Sequence, residues 1–146
     1  MRLKNLPPLL FLMLFAGKAS FAQNTPEGIT KSFFDLYKKG TIDEAIDYIF
    51  GTNKYAENNR EGIDDLKRKL KKTISIEGEY NGYDLLYKKT AGDNLVVLTL
   101  LVRHERDPLT FRLLFYKPAD KWMLQNFKYN NKMDEELEEA SKVHKK

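Results

Sequence analysis

His104, in the stretch "LVRHERD", carries the side chain best suited to proton chemistry near neutral pH. It stands at the end of an apolar run, between Arg103 and Glu105. A general base needs a positioned partner. The sequence supplies no serine in an elbow motif and no second histidine or cysteine at metal-ligand spacing. The expectation is a solvated residue at the rim of a sheet. His144 lies in a charged tail and is the weaker candidate. Asp35, Tyr37, Tyr48 and Asp84 are acids or phenols, but their spacing fits no catalytic set. Glycine-rich phosphate loops, zinc motifs, calcium loops and hydrolase elbows are absent from the sequence, so no metal and no cofactor is expected.

The elements that would hold these residues are readable from periodicity. Thr25 caps a helix with Pro26 at its first position, and Ile29, Phe33, Leu36 and Tyr37 recur on one face. Gly40 stops it. Thr41 to Glu44 reads as a capping box for a second, short helix carrying Ile42, Ala45, Ile46 and Ile49. A polar, Asn-rich connection runs from Gly51 to Arg60. A third helix spans about Gly62 to Lys72, with Ile63, Leu66 and Leu70 buried. Its "DD" start and "KRKLKK" end complement the helix dipole, so the basic run reads as a solvated face, not a nucleic-acid patch.

Four strands follow: Tyr80–Lys89, Asn94–His104, Leu109–Lys117 and Lys121–Asn130. The turns "TAGD", "ERDP" and "PAD" are short, which makes the neighbours antiparallel. Period-2 alternation assigns two faces. One holds Tyr83, Leu85, Tyr87, the even positions from Val96 to Val102, the odd ones from Leu109 to Phe115, then Met123, Phe127 and Tyr129. It is apolar and must be covered. Gln125 is its one polar member. A buried amide without partners costs about 1–3 kcal/mol, so it bonds a helix carbonyl, a buried water or a ligand. The opposite face is mixed, with Asp84, Leu86, Arg112, Leu114, Trp122 and Leu124 on it. The tail from 131 to 146 offers only Met133, Leu137 and Ala140 as an apolar side and reads as a weakly docked helix or a frayed end.

The chain has 146 residues and a formal net charge of +4. Its first stretch changes the meaning of both numbers. Arg2 and Lys4 precede an apolar run from Leu9 to Ala16, and "GKASFA" follows. This is the order of a secretory signal peptide, with Ser20 and Ala22 at the −3 and −1 positions of cleavage before Gln23. The run is shorter than the roughly 20 residues a bilayer span needs. Residues 1–22 hold Arg2, Lys4 and Lys18 and no acid, leaving 22 basic and 21 acidic side chains in the rest. The basic balance therefore reports export and gives no support for nucleic-acid binding. With no cysteine, disulfides, thiolate metal sites and a lipid-modified N-terminal cysteine are excluded. The expected product is exported to the periplasm or the extracellular space, with no membrane span in its mature chain. Its domain runs over residues 23–130, followed by the charged tail.

Three helices, the last opening on "EGIDDLKRKL", then an antiparallel sheet ending on "KPADKWMLQNF": this order resembles the NTF2-like superfamily, as an exported bacterial-type member. That superfamily includes SnoaL-like and ketosteroid-isomerase-like proteins. Gly62, Asp64 and Leu66, and the final hairpin with Trp122 past its turn, carry the resemblance. It implies an α+β cone, three N-terminal helices on a curved four-strand sheet, often with a cavity between the layers. Tyr83, His104, Gln125 and Tyr129 are the pocket candidates. The resemblance also implies a homodimer through the outer sheet face, which Leu114, Trp122 and Leu124 would line. The alternative is a partly exposed face with the tail folded across it. The functional expectation is non-catalytic binding of a small apolar ligand or a partner protein. The alternatives are an isomerase- or hydrolase-like enzyme using a pocket acid or His104, and a structural subunit attached to an envelope protein.

Overall fold

Thr25 opens the first helix as expected: its hydroxyl accepts a hydrogen bond from the Gly28 N–H at 3.0 Å, with Pro26 just inside. The computed structural model describes residues 24–143. Ala22 and Gln23, between which cleavage is expected, lie outside them. Helix α1 (Pro26–Lys38) buries Ile29, Phe33, Phe34 and Tyr37. Gly40, at φ 78°, turns the chain into α2 (Ile42–Gly51). The capping box does not form: the Thr41 hydroxyl donates back to the Leu36 carbonyl at 3.0 Å and closes the α1–α2 turn instead. The Asn-rich connection contains one 3₁₀ turn, Ala56–Asn59.

Helix α3 (Arg60–Glu77) is longer than its basic run suggests, because Leu70, Ile74 and Glu77 continue the inward stripe to Gly78. Gly78, at φ 84°, ends it. A side chain there would also meet Glu105, whose Cβ stands 3.1 Å from where a Cβ would be placed. The sheet is an antiparallel meander in sequence order, β1 (Tyr80–Ala91), β2 (Leu95–His104), β3 (Leu109–Tyr116) and β4 (Met123–Asn130). The charged tail is the fourth α-helix, α4 (Met133–Val143). The architecture is thus α+β with four α-helices, three of them before the sheet. Among the described residues no helix is long and apolar enough to cross a membrane.

The ladders have three irregularities, one of them at the start of β1 between Tyr80 and Gly82, and the other two reassign part of each face. One lies between Leu85 and Tyr87, so that Leu85 pairs with Leu100 but Tyr87 pairs with Thr99. Tyr87 therefore faces outward, contrary to simple alternation. The other lies between Leu114 and Phe115: Leu114 pairs with Asn126, whereas Phe115 pairs with Leu124. One extra residue, Gln125, is accommodated there. A bulge of this kind reverses the facing of everything on one side of it. Leu124, expected on the outer face, is a core residue at 1% exposure. Gln125, expected inside, is exposed. Trp122 packs against the core with Lys117 over its ring. Met123 moves to the outer side, opposite Tyr116.

Candidate functional site

The inner face of the sheet is closed by packed rings. Phe33, Tyr37, Phe111 and Phe115 are all fully buried. Phe33 contacts Phe34, Tyr37, Phe111 and Phe127 with centroids 4.9–6.3 Å apart. Such edge and tilted contacts add to the area they remove from water. Tyr83 stacks on Phe34 at 4.0 Å.

His104 sits at one end of this cluster and is not solvated; it is 8% exposed. Its Nδ1 is 2.8 Å from the Gly78 carbonyl oxygen, which can only accept. Nδ1 therefore carries the proton, and Nε2 accepts from the Tyr37 hydroxyl at 3.0 Å. Both ring nitrogens are engaged. Burial, with Tyr80 and Tyr129 nearby, holds the Tyr37 hydroxyl far above the usual phenol range, so it stays a donor. Burial also pushes Tyr80 up to about 12, with Tyr83 adding to it. Glu77 is buried at the end of α3 and has one carboxylate oxygen without a hydrogen-bond partner among the described residues. It makes no hydrogen bond to His104. A poised acid–imidazole pair is therefore not assembled here, and the Tyr37–His104–Gly78 chain reads as a satisfied polar link joining α1, the end of α3 and β2.

The four pocket candidates are not brought to one place. His104 and Tyr83 belong to the packed end. The Tyr129 hydroxyl reaches the Thr73 hydroxyl of α3 at 3.3 Å. Gln125 lines a separate groove of about 200 Å³ between β4 and the start of α3, with Phe50, Ile63, Leu66 and Phe127 as its apolar wall. This groove shares Phe50 and Ile63 with a cleft of about 330 Å³ that Asp47, Asn53 and Arg60 also line. Sequence reasoning missed what shapes this edge. Thr52 and Asn53 act as a surrogate strand: the Thr52 hydroxyl accepts from the Leu124 N–H at 3.0 Å, and the Asn53 amide donates to the Leu124 carbonyl at 2.9 Å. A Thr-Asn pair just past a helix end is the one available signal.

The basic run of α3 is tied to acids on α2 and on its own preceding turns. Lys71 meets Asp43 at 2.9 Å, Lys67 meets Asp47 at 2.7 Å, and Arg68 meets Asp65 at 3.2 Å. It is not a free cationic surface.

The outer face is built differently. Helix α4 lies across part of it: the Thr110 hydroxyl donates to the Met133 sulfur at 3.8 Å, the Tyr87 hydroxyl donates to Glu136 at 2.7 Å, and Lys89 meets Glu139 at 3.3 Å. The tail is thus folded over the face that a dimer was expected to cover. Asp84 also lies there, bridged to Arg103 at 2.9 Å. Of the three dimer-face candidates, Leu114 alone stays on this face, half-buried beside a hollow of about 230 Å³ with Val97, Arg112, Asn126 and Lys128. No group of three or more metal-ligating side chains occurs among the described residues. No protein-family model, curated protein or solved structure matches the chain.

Proposed function

We propose that this chain, after removal of residues 1–22, is an exported, non-catalytic binding domain on an NTF2-like cone, and that it binds a partner protein. The observation that carries the reading is the state of His104: its two nitrogens are bonded within the fold and its surroundings are filled by aromatic rings. A site that moves protons keeps such a group accessible to substrate. With the interior occupied, the recognition surfaces are external. A small apolar ligand is the second reading, favoured by the cleft floored by Phe50 and Ile63. Native mass spectrometry on the protein purified from its own host tests both. The expected species starts at Gln23 and carries a second polypeptide. A retained small molecule would replace the first reading by the second, and a chain still beginning at Met1 would overturn export.

A further inference from the structure

The four-strand sheet has more outer surface than α4 covers. Strands lie about 4.8 Å apart, so the face is roughly 19 Å wide, room for about two helices packed at 8–10 Å. Helix α4 touches Thr110 and then crosses to Tyr87 and Lys89 on β1. Beyond Thr110 the β3–β4 half is left open, with Arg112 and Lys128 exposed. There, Arg112 and Lys128 stand directly opposite each other across the ladder. Facing like charges destabilise a strand pair. Among the described residues, the ion pairs on this face join Lys89 to Glu139 and Arg103 to Asp84, and neither involves Arg112 or Lys128; Arg112 interacts with the Tyr87 hydroxyl through its charge alone. The next row holds Leu114, with Val97 on one side and Asn126 on the other, flooring the hollow between the two cations.

The same face shows what it accepts. The resident α4 is an acidic helix that sets Glu136 on Tyr87 and Glu139 on Lys89. We propose that the open half is the docking site for an acidic amphipathic helix of a partner protein, lying beside α4. Its carboxylates sit between Arg112 and Lys128, and its apolar side covers Val97 and Leu114. This rests on the partner-protein reading above and names the partner's chemistry. A second copy of the chain is a poor source for that helix. Its α4 is already seated on its own sheet, with Glu136 on Tyr87 and Glu139 on Lys89, contacts that a free peptide does not have, and Asp43 and Asp47 of α2 are engaged by lysines of α3.

The probe is a fluorescein-labelled synthetic peptide with the sequence of residues 131–143, an acidic helix of the kind this sheet already holds. Its anisotropy is followed on titration with the mature chain. Saturable one-to-one binding is expected, weakened about tenfold by Arg112→Glu with Lys128→Glu and unchanged by Lys89→Glu. Arg112→Glu alone sets a carboxylate opposite Lys128, an attraction in place of the repulsion. That variant melts no lower than the parent and still binds the peptide more weakly. A peptide whose glutamates are replaced by glutamine does not bind. Loss of binding with Lys89→Glu would mean that the peptide displaces α4, and would overturn the proposal. So would an unaltered affinity in both charge-reversed variants. So would a dimer of the chain, seen by sedimentation, that the same reversals dissolve. The two readings fail separately. A native chain carrying a partner whose surface fails the peptide test keeps the function and loses this site. A chain carrying a small molecule that passes it keeps the site and loses the function.

Discussion

The two faces of one sheet differ in what their side chains have left to offer. On the inner face the large groups are satisfied: Phe111 is ringed by Phe33, Tyr37 and Phe127, and even His104 has a partner on each nitrogen. On the outer face, α4 leans on two hydroxyls, those of Tyr87 and Thr110, and on the Lys89 ammonium group, and its Leu137 is 63% exposed. Arg112 and Lys128 face each other across neighbouring strands, cation against cation. Stability is concentrated where valence is used up, and recognition is available where it is not. The residue types most suggestive of chemistry, His and Tyr, fall mainly on the first side.

The comparison breaks if the faces respond alike to truncation. Phe111→Ala is expected to cost about 3–5 kcal/mol, because it leaves a cavity among rings that cannot collapse onto it. Leu114→Ala, half-buried on the outer side, should cost clearly less than Phe111→Ala. Urea denaturation of both variants measures the gap, and equal losses would mean that the outer face is a second core.

His104→Leu comes next. It leaves the Tyr37 hydroxyl and the Gly78 carbonyl without partners, at about 1–3 kcal/mol in the same assay. A structural link predicts that loss, whereas a surface residue would be replaced without cost. The tyrosines of this cluster sharpen the point through pH. Burial raises the Tyr80 pKa in the fold to about 12, against about 10 in the unfolded chain. The neutral phenol is the form the fold prefers. That contribution is whole below about pH 10 and is lost as pH rises from there through about 12, and Tyr37 acts in the same sense at higher pH. Absorbance near the phenolate band should show Tyr80 and Tyr37 ionising late, together with alkaline unfolding. Early, fully reversible titration of all tyrosines in the native state would place this cluster in solvent.

The strand limits were legible because alternation and turn residues agree: β3 starts at the expected Leu109, and β2 ends at the expected His104. The faces were legible only between bulges. Leu85-Leu86 gives an alternating pattern no way to locate an extra residue, and neither does the run Trp122-Met123-Leu124 before Gln125. The shift is decided by the partner strands, which force Phe115 onto Leu124 and Thr99 onto Tyr87. His104's burial was invisible for a similar reason. Its partners are 67 and 26 residues away, and nothing local to "LVRHERD" specifies them. The helix of the tail was visible as a charge pattern, and its place across the outer face stood as the alternative to a dimer, but its contact with Tyr87 was not visible, since simple alternation turns Tyr87 inward.

Removing α4 by ending the chain at Asn130 tests how loosely that helix is held. Its apolar contribution comes from Met133 and Ala140, so the expected cost is about 1–2 kcal/mol, with the sheet and α1–α3 intact. Hydrogen exchange would show the amides of α4 opening before those of β2 in the full chain. A truncated chain that fails to fold would make α4 part of the core and remove the contrast between the faces.

The smallest effect belongs to the α2–α3 ion pairs. Lys71 and Asp43 are each about half exposed, and their 2.9 Å contact works against water and salt. Pairs of this kind contribute about 0.2–1 kcal/mol and are screened within roughly 8 Å at physiological ionic strength. A double-mutant cycle on Asp43→Ala and Lys71→Ala should therefore give a coupling at the low end of that range, shrinking further at high salt. The basic run then serves to align α3 on α2 while adding little stability. A coupling of about 2 kcal/mol, beyond the range of exposed pairs, would make it a structural element in its own right. Cations so tightly engaged would also have nothing to offer an anion, whereas Arg112 and Lys128, in no ion pair among the described residues, would remain a facing pair of cations.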